Sequence, residues 1–344
     1  MAKGRKVTVP HMRIGVDGRA LSNDSGSGLR QARGIARYAS SMLDALTRRH
    51  SGDDWLVAPP GGRLARASAA LTGRPRLDRS MGGRLDVVWL PAPAPVAVSR
   101  DVPFVLTVHD LSAELRPGDF SPYARLWNRA ARPGRLARRA ARVITDSDET
   151  RVRAVERWAL APDRVRVVRP GFWRPPPPAD GALRRLQVPS PYLLFVGALE
   201  RRKGVDVLAE AFADARGRGL EAELVLAGAG PLAQGLRAPG VTLLGRVSDS
   251  ELAALYANAR ATVLPSWIEG FGFTPLESLA AGTPAVVSDL PSLRETLGDA
   301  ALTAPPGDRR ALADALLRID GDDQLRARLL HEAGPRLALS LIHI

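Results

Sequence analysis

One pattern constrains this chain more than any other: short apolar, β-branched runs alternate with longer stretches of helical periodicity from end to end. In the first half the strand candidates are Arg13–Val16, Trp55–Ala58, Val87–Leu90, Phe104–Val108, Val143–Thr145 and Val165–Val168. Helical stretches such as Ile35–Thr47 and Tyr123–Arg139 lie between them. The second half repeats the scheme, with strands at Tyr192–Val196, Glu223–Ala227, Val241–Leu244, Ala261–Leu264 and Ala285–Ser288. Helices are expected at Val205–Arg216, Asp249–Asn258, Pro275–Ala281 and Arg309–Ile319. Strands that are apolar along their whole length are buried on both faces, as in parallel sheets whose crossovers are helices. The pattern predicts an α/β fold with two doubly wound, Rossmann-like domains.

The boundary falls where neither element can form. Pro175–Pro178 are four consecutive prolines, which cannot sit inside a helix or a central strand and read as extended chain. A first domain is therefore expected over residues 1–170, a proline-rich linker over 171–191 and a second domain over 192–336. The 344 residues are enough for two cores of ordinary size. Residues 337–344 (LALSLIHI) show no helix pattern of useful length and read as a truncated or non-native tail. Doubly wound sheets bind ligands beyond the carboxyl ends of their strands, so the expected site is a cleft that the two domains face across.

Composition excludes several classes. The chain has no cysteine, which removes disulfide frameworks and thiolate chemistry. No apolar run approaches the ~18–20 residues of a membrane span, and no signal-peptide core is present. A soluble, cytoplasmic protein is expected. The net charge is +13, of which residues 1–180 carry +15 and the remainder −2. The densest stretch is Arg125, Arg129, Arg132, Arg135, Arg138, Arg139 and Arg142. Such a half suits a solvated basic face or peripheral contact with an anionic membrane. Lys3, Lys6 and Lys203 are the only lysines, so much of the excess is also compositional. With 5% aromatic residues and no recognisable motif, nucleic acid is not an expected partner.

Trp267–Glu277 (WIEGFGFTPLE) carries the strongest chemistry. Gly270 and Gly272 let backbone approach a ligand, and Thr274 opens a helix at Pro275 whose N-terminal N–H groups suit a diphosphate. Glu269 belongs to the loop and Glu277 to the first helical turn. Thr274-x-x-Glu277 with Pro275 at the first helical position also reads as a capping box. The carboxylate has two oxygens, so capping and ligand binding both stand.

Two acids with seven residues between them, framing Gly-Phe-Gly and followed by SLAAGTPAVVSDLPSLRE, resemble glycosyltransferase family 4. These are retaining enzymes of the GT-B fold, and the resemblance runs from Arg13 to about Arg336. It implies that Glu269 contacts the donor sugar and Glu277 the ribose hydroxyls. The backbone of Gly270, Phe271, Gly272, Phe273 and Thr274 is then expected to approach the diphosphate and sugar.

A second match, FVGALERRKGVDVLAEAF over residues 195–212, implies that Arg202 and Lys203 clamp the diphosphate as its charge grows. Many relatives have Arg where this chain has Ala198; a small residue there points to the mannosyltransferase-like branch. RIGVDGRAL followed by RGIARYASSMLDAL resembles the family's Gly-rich loop and first long helix. That places Gly34 on the acceptor or phosphate side, with a plain helix start as the other reading. Gly26–Gly28 supplies a second flexible segment nearby. FVLTVHDLSAEL puts His109 and Asp110 at the carboxyl end of a buried strand. The resemblance implies that His109 bonds the donor sugar, with Asp110 binding beside it or holding the loop.

Asp146-Ser147-Asp148 looks like the metal-binding Asp-x-Asp of other glycosyltransferases. It sits between a strand and a helix, where an N-cap and acidic first turn are needed, so it reads as capping and no metal is expected.

The resemblance thus implies metal-independent, nucleotide-sugar-dependent hexosyl transfer with retention. His109, Glu269, Arg202 and Lys203 act at the reacting centre. No cofactor is expected, and the donor substrate is GDP-mannose. A glycan or lipid-linked acceptor of envelope or polysaccharide synthesis would be met at the inner membrane face. UDP-sugar donors, a sugar-nucleotide epimerase of the same fold and a non-catalytic glycan-binding protein remain alternatives. A nicotinamide enzyme is disfavoured, because Gly26-Ser-Gly-Leu-Arg-Gln lacks the last glycine of the fingerprint and lies far from its strand.

Overall fold

The computed structural model describes residues 11–21, 32–59, 68, 72, 76–171 and 176–341. It contains two six-stranded sheets. The first holds β1 (Arg13–Asp17), β2 (Asp54–Ala58), β3 (Val87–Leu90), β4 (Phe104–Val108), β5 (Arg142–Thr145) and β6 (Val165–Val167), ordered β2-β1-β3-β4-β5-β6. The second holds β7 (Tyr192–Val196), β8 (Glu223–Ala227), β9 (Val241–Gly245), β10 (Ala261–Leu264), β11 (Ala285–Ser288) and β12 (Ala301–Ala304), ordered β12-β11-β10-β7-β8-β9. The β1–β2, β1–β3 and β3–β4 ladders are parallel, as are all five in the second sheet.

β7 shows why these strands read as continuous apolar runs. Leu193 and Phe195 enter one core cluster with Leu208, Phe212 and Leu316 from the helices Val205–Gly217 and Arg309–Gly321. Tyr192 and Leu194 enter another with Leu252 and Leu255 from the helix Asp249–Asn258. Alternate side chains point to opposite faces, so a strand buried on both needs an apolar residue everywhere.

By contacts the chain forms two compact units that interleave in sequence. One comprises residues 1–108, 122–144 and 154–166; the other 109–121, 145–153 and 167–344. The segments that leave the carboxyl ends of β4 and β5 thus belong to the second unit, where the linear reading expects one break at 171–191. Within that stretch Ala182–Arg185 is helical, and Phe172–Pro175 lie outside the described residues.

Four elements depart from expectation. The single helix expected over Tyr123–Arg139 is two, Pro122–Ala131 and Pro133–Arg139, broken at Arg132 with φ 46°. Proline disfavours the helical region for the residue before it and supplies no N–H, so Arg132 turns left-handed and Pro133 opens a new helix. β12 and the helix Pro291–Leu297 were not foreseen. The last helix, Asp323–Leu341, runs through Pro335 into the supposed tail, and Leu337 packs against the cluster of Leu276, Leu293 and Ala333. Amphipathic packing there outweighs the break that proline signals; residues 342–344 lie outside the described set. No helix among the described residues is long and apolar enough to cross a membrane.

Candidate active site

In a doubly wound sheet the strand order reverses at one point, and the two loops flanking it diverge to leave a crevice. Read from β9, the second sheet runs in the order first-three-reversed, then last three, so its switch point lies between the neighbours β7 and β10. The loop leaving β7 carries Arg202 and Lys203; the loop leaving β10 carries Glu269 and the glycines. Topology therefore brings together two motifs more than sixty residues apart in sequence.

The loops are joined by backbone and side chain. Trp267 N–H donates to the Arg202 carbonyl at 2.9 Å. Lys203 Nζ donates to Glu269 Oε1, an ion pair whose members are both largely buried. Ser266 Oγ donates to the same oxygen at 2.6 Å, and Ser292 Oγ to the Glu269 carbonyl at 2.8 Å. Arg202 is 7% exposed; its Nε donates to Glu200 Oε2 at 3.1 Å. Its terminal nitrogens have no partner among the described residues. Two cations and a carboxylate thus lie on the two loops that flank the switch point, a suitable arrangement for a negatively charged leaving group beside a polyhydroxyl ring.

The glycine-rich segment works mainly through its backbone. Phe271 is buried in the cluster with Leu276 and Leu293, and Phe273 packs on the same cluster, its ring 5.2 Å from that of Phe271. The helix Phe273–Ala280 begins two residues earlier than the capping reading places it. Gly272, left-handed at φ 91°, is the N-cap, and no side chain caps this end. Thr274 and Pro275 are therefore inside the helix, and no capping box forms. Gly272 can take this conformation because it has no Cβ. Glu277 is freed from capping and turns inward, 5% exposed, accepting from Tyr256 Oη at 3.0 Å. The first-turn N–H groups are left without a side-chain cap, which suits an anion.

His109 and Asp110 leave β4, and Asp146 leaves the adjacent β5. His109 Nδ1 lies 2.6 Å from Asp146 Oδ2, and the His109 carbonyl abuts Gly270. His109 is thereby held in the same unit as Glu269 and Lys203. Asp110 Oδ1 accepts from the backbone and hydroxyl of Ser112 at 2.8 and 2.6 Å, closing the turn into the helix Ser112–Leu115. It holds the loop, and it also lines a small recess with Glu149, Arg153, Trp267, Glu269 and Ser292. Arg116 lies over the Trp267 ring at 4.4 Å.

Gly34 is the third residue of the helix Ala32–Arg49, near the expected helix start, and is exposed with no described atom within 4 Å of a would-be Cβ. Gly26 and Gly28 lie outside the described residues. In Asp146-Ser147-Asp148, Ser147 Oγ accepts from Thr150 N–H at 3.2 Å and Asp148 opens the helix Asp148–Trp158, as capping requires. Asp146 does not cap; it faces His109. Ser266, Tyr256 and Asp146 were not singled out as site residues. Asp146 meets His109 because β4 and β5 are neighbours and Tyr256 meets Glu277 by helix packing, neither of which sequence order gives; Ser266 is a local partner, three residues before Glu269.

Comparison with known proteins agrees with this geometry. A model described as Glycosyltransferase Family 4 matches residues 32–172, and one described as Glycosyl transferases group 1 matches residues 190–322. A D-inositol 3-phosphate glycosyltransferase of Frankia alni is 32% identical over 292 residues, 74% of this chain and 70% of that protein. An O-antigen chain mannosyltransferase B of Escherichia coli is 30% identical over 241 residues, 64% of this chain and 62% of that protein. The solved structure of sucrose-phosphate synthase from Thermosynechococcus elongatus superposes with a TM-score of 0.67 at 20% identity, covering 96% of this chain and 97% of that one. Paired doubly wound sheets with this site define a nucleotide-sugar-dependent glycosyltransferase of the GT-B type. The chain belongs to glycosyltransferase family 4.

Proposed function

We propose that the protein transfers mannose from GDP-mannose, with retention of anomeric configuration, to a glycan or lipid-linked acceptor of envelope or polysaccharide synthesis. The observation that carries the reading is the convergence of Arg202, Lys203, Glu269 and Glu277 around the β7–β10 switch point. Glu277 is the group that holds the ribose hydroxyls in this reading. Arg202, Lys203 and the uncapped first turn at Phe273 offset the charge that grows on the departing diphosphate. Glu269 and His109 position the sugar. The bond from the anomeric carbon to the diphosphate oxygen breaks while the acceptor oxygen bonds to that carbon from the same face. The acceptor's proton passes to the departing phosphate oxygen, so no protein base and no metal are required.

Mannose is favoured by the small Ala198 and by the mannosyltransferase named among the relatives. The other named relative is a D-inositol 3-phosphate glycosyltransferase, whose name specifies no mannose, and UDP-sugar donors are the second reading. Melting shifts with GDP, UDP, GDP-mannose and UDP-glucose, with and without EDTA, test the donor. A ligand at 100 times its Kd adds about 2.7 kcal/mol. A shift with GDP and GDP-mannose alone, unchanged by EDTA, supports the proposal. A shift with UDP alone replaces the donor, loss of the shift in EDTA overturns metal independence, and no shift at all removes the donor site. Product formed without acceptor would indicate an epimerase. The anomeric coupling constant of the product tests retention.

We place the protein in the cytoplasm with peripheral contact at an anionic membrane. Support comes from the helix Pro122–Ala131, which exposes Leu126 (66%) and Tyr123 (47%) beside Arg125 and Arg129. Neither arginine has a partner among the described residues, whereas Arg138 and Arg139 are tied to the carbonyls of Trp158 and Val98. Flotation with phosphatidylglycerol vesicles should recover the wild type but not Leu126→Asp or Arg125→Glu/Arg129→Glu; equal recovery of all three would remove the contact.

A further inference from the structure

We propose that Asp146 is the positioning residue for His109, fixing the tautomer and direction of its imidazole at the sugar side of the transfer site. The inference rests on the transfer reading above. The strands β4 and β5 are neighbours, so His109 and Asp146 leave the sheet side by side, and His109 Nδ1 lies 2.6 Å from Asp146 Oδ2. Asp146 is 2% exposed and His109 14%. An ionised carboxylate only accepts hydrogen bonds, so the short contact places a proton on Nδ1. In the neutral ring Nε2 is then an acceptor for a sugar hydroxyl.

Capping does not account for Asp146. Ser147 already accepts from Thr150 N–H, and Asp148 and Glu149 supply the acidic first turn. Asp146 Oδ1 has no partner among the described residues, although the atom is buried. A buried carboxylate that neither caps a helix nor pairs with Lys or Arg incurs a desolvation cost. Among the described residues its partner is the imidazole of His109. The His109 carbonyl is fixed separately, by Thr150 Oγ1 at 3.4 Å and by the Gly270 backbone pressed against it. The main chain is therefore set by Thr150 and Gly270, and the ring by Asp146.

The test combines NMR and kinetics on the full chain. Long-range ¹⁵N–¹H correlation, with His109 assigned by His109→Gln, should show the Nδ1–H tautomer in the wild type and its loss in Asp146→Asn. A wild-type ring protonated on Nε2 overturns the proposal whatever donor is used. In the transfer assay Asp146→Asn should lower kcat about 100-fold with little change in donor KM, as expected for a misdirected group. Adding Asp146→Asn to His109→Ala should cost nothing further. A full additional loss in the double variant, or an unchanged kcat in Asp146→Asn, would show a structural role only. If Asp146→Asn does not fold, Asp146→Glu, which keeps the acceptor, should retain the tautomer and part of the rate; loss of both overturns the proposal. Should no donor support transfer, the activity reading fails while the tautomer still decides the pairing.

Discussion

The backbone of Gly270 lies so close to the carbonyl oxygen of His109 that a Cβ added at Gly270 would come within 1.7 Å of it. Neither group can yield cheaply. The His109 carbonyl also accepts from Thr150, and the chain beyond Gly270 is anchored by Phe271 in the core. Gly270→Ala must therefore shift main chain in one of two loops that carry site residues. It should cost ~1–3 kcal/mol, the range for overpacking a close contact, and lower kcat more than donor binding. Thermal melting together with kcat and KM checks this. Wild-type stability and rate in Gly270→Ala would show that the close approach is not required.

Away from the site, the helix Asp249–Asn258 begins with a complete capping box. Ser248 Oγ accepts from Glu251 N–H at 3.3 Å, and Ser248 N–H donates to Glu251 Oε2 at 2.8 Å. The backbone bond from Ser248, then its hydroxyl, hold the Glu251 carboxyl below the ordinary glutamate range. A depressed folded-state value means the ionised form is favoured by folding. Its contribution is thus present above the ordinary glutamate range and lost as pH falls through the lowered value. The melting difference between wild type and Glu251→Gln should be largest near neutrality and vanish in acid. A difference constant from pH 7 to pH 2 would show that ionisation plays no part.

Much of this architecture was legible because buried parallel strands leave a plain trace. Leu193 and Leu194 had to be apolar for opposite faces of one strand, and runs of that kind gave eleven of the twelve strands. β12 (Ala301–Ala304) escaped because two alanines, a leucine and a threonine give no such contrast. The glycine motif located Glu269 and Glu277, yet the cap was misplaced because Thr274, Pro275 and Glu277 satisfy the local rule while Gly272 satisfies the backbone. Asp146 was read locally for the same reason. Its partner is set by the adjacency of β4 and β5, a non-local fact.

Gly34 offers a separation of helix energetics from ligand contact. It is the third residue of an eighteen-residue helix, exposed, with no described atom within 4 Å of where a Cβ would stand. Gly34→Ala should raise stability by ~0.5–1 kcal/mol, the usual gain at an exposed helical position. With a plain helical role the transfer rate should be unchanged. A raised melting temperature with a lowered kcat/KM for acceptor would instead reveal a ligand passing close to that backbone.

The ion pair between Lys203 and Glu269 makes two variants diverge. As the chain stands, Lys203 is held by the carboxylate, and a diphosphate must compete for it. Lys203→Ala removes the cation that would meet the leaving group and leaves Glu269 bonded to Ser266 in a largely buried place. It should lower kcat by ~10²–10³, the scale of losing one preorganised electrostatic contact, and shrink the melting shift given by GDP. Glu269→Gln removes the competitor instead. Lys203 is then released toward phosphate, so the GDP shift should be kept or enlarged. The rate should still fall, because the group proposed to position the sugar has lost its charge. A GDP shift diminished equally in both variants would mean that the pair only braces the two loops, and that diphosphate is bound elsewhere.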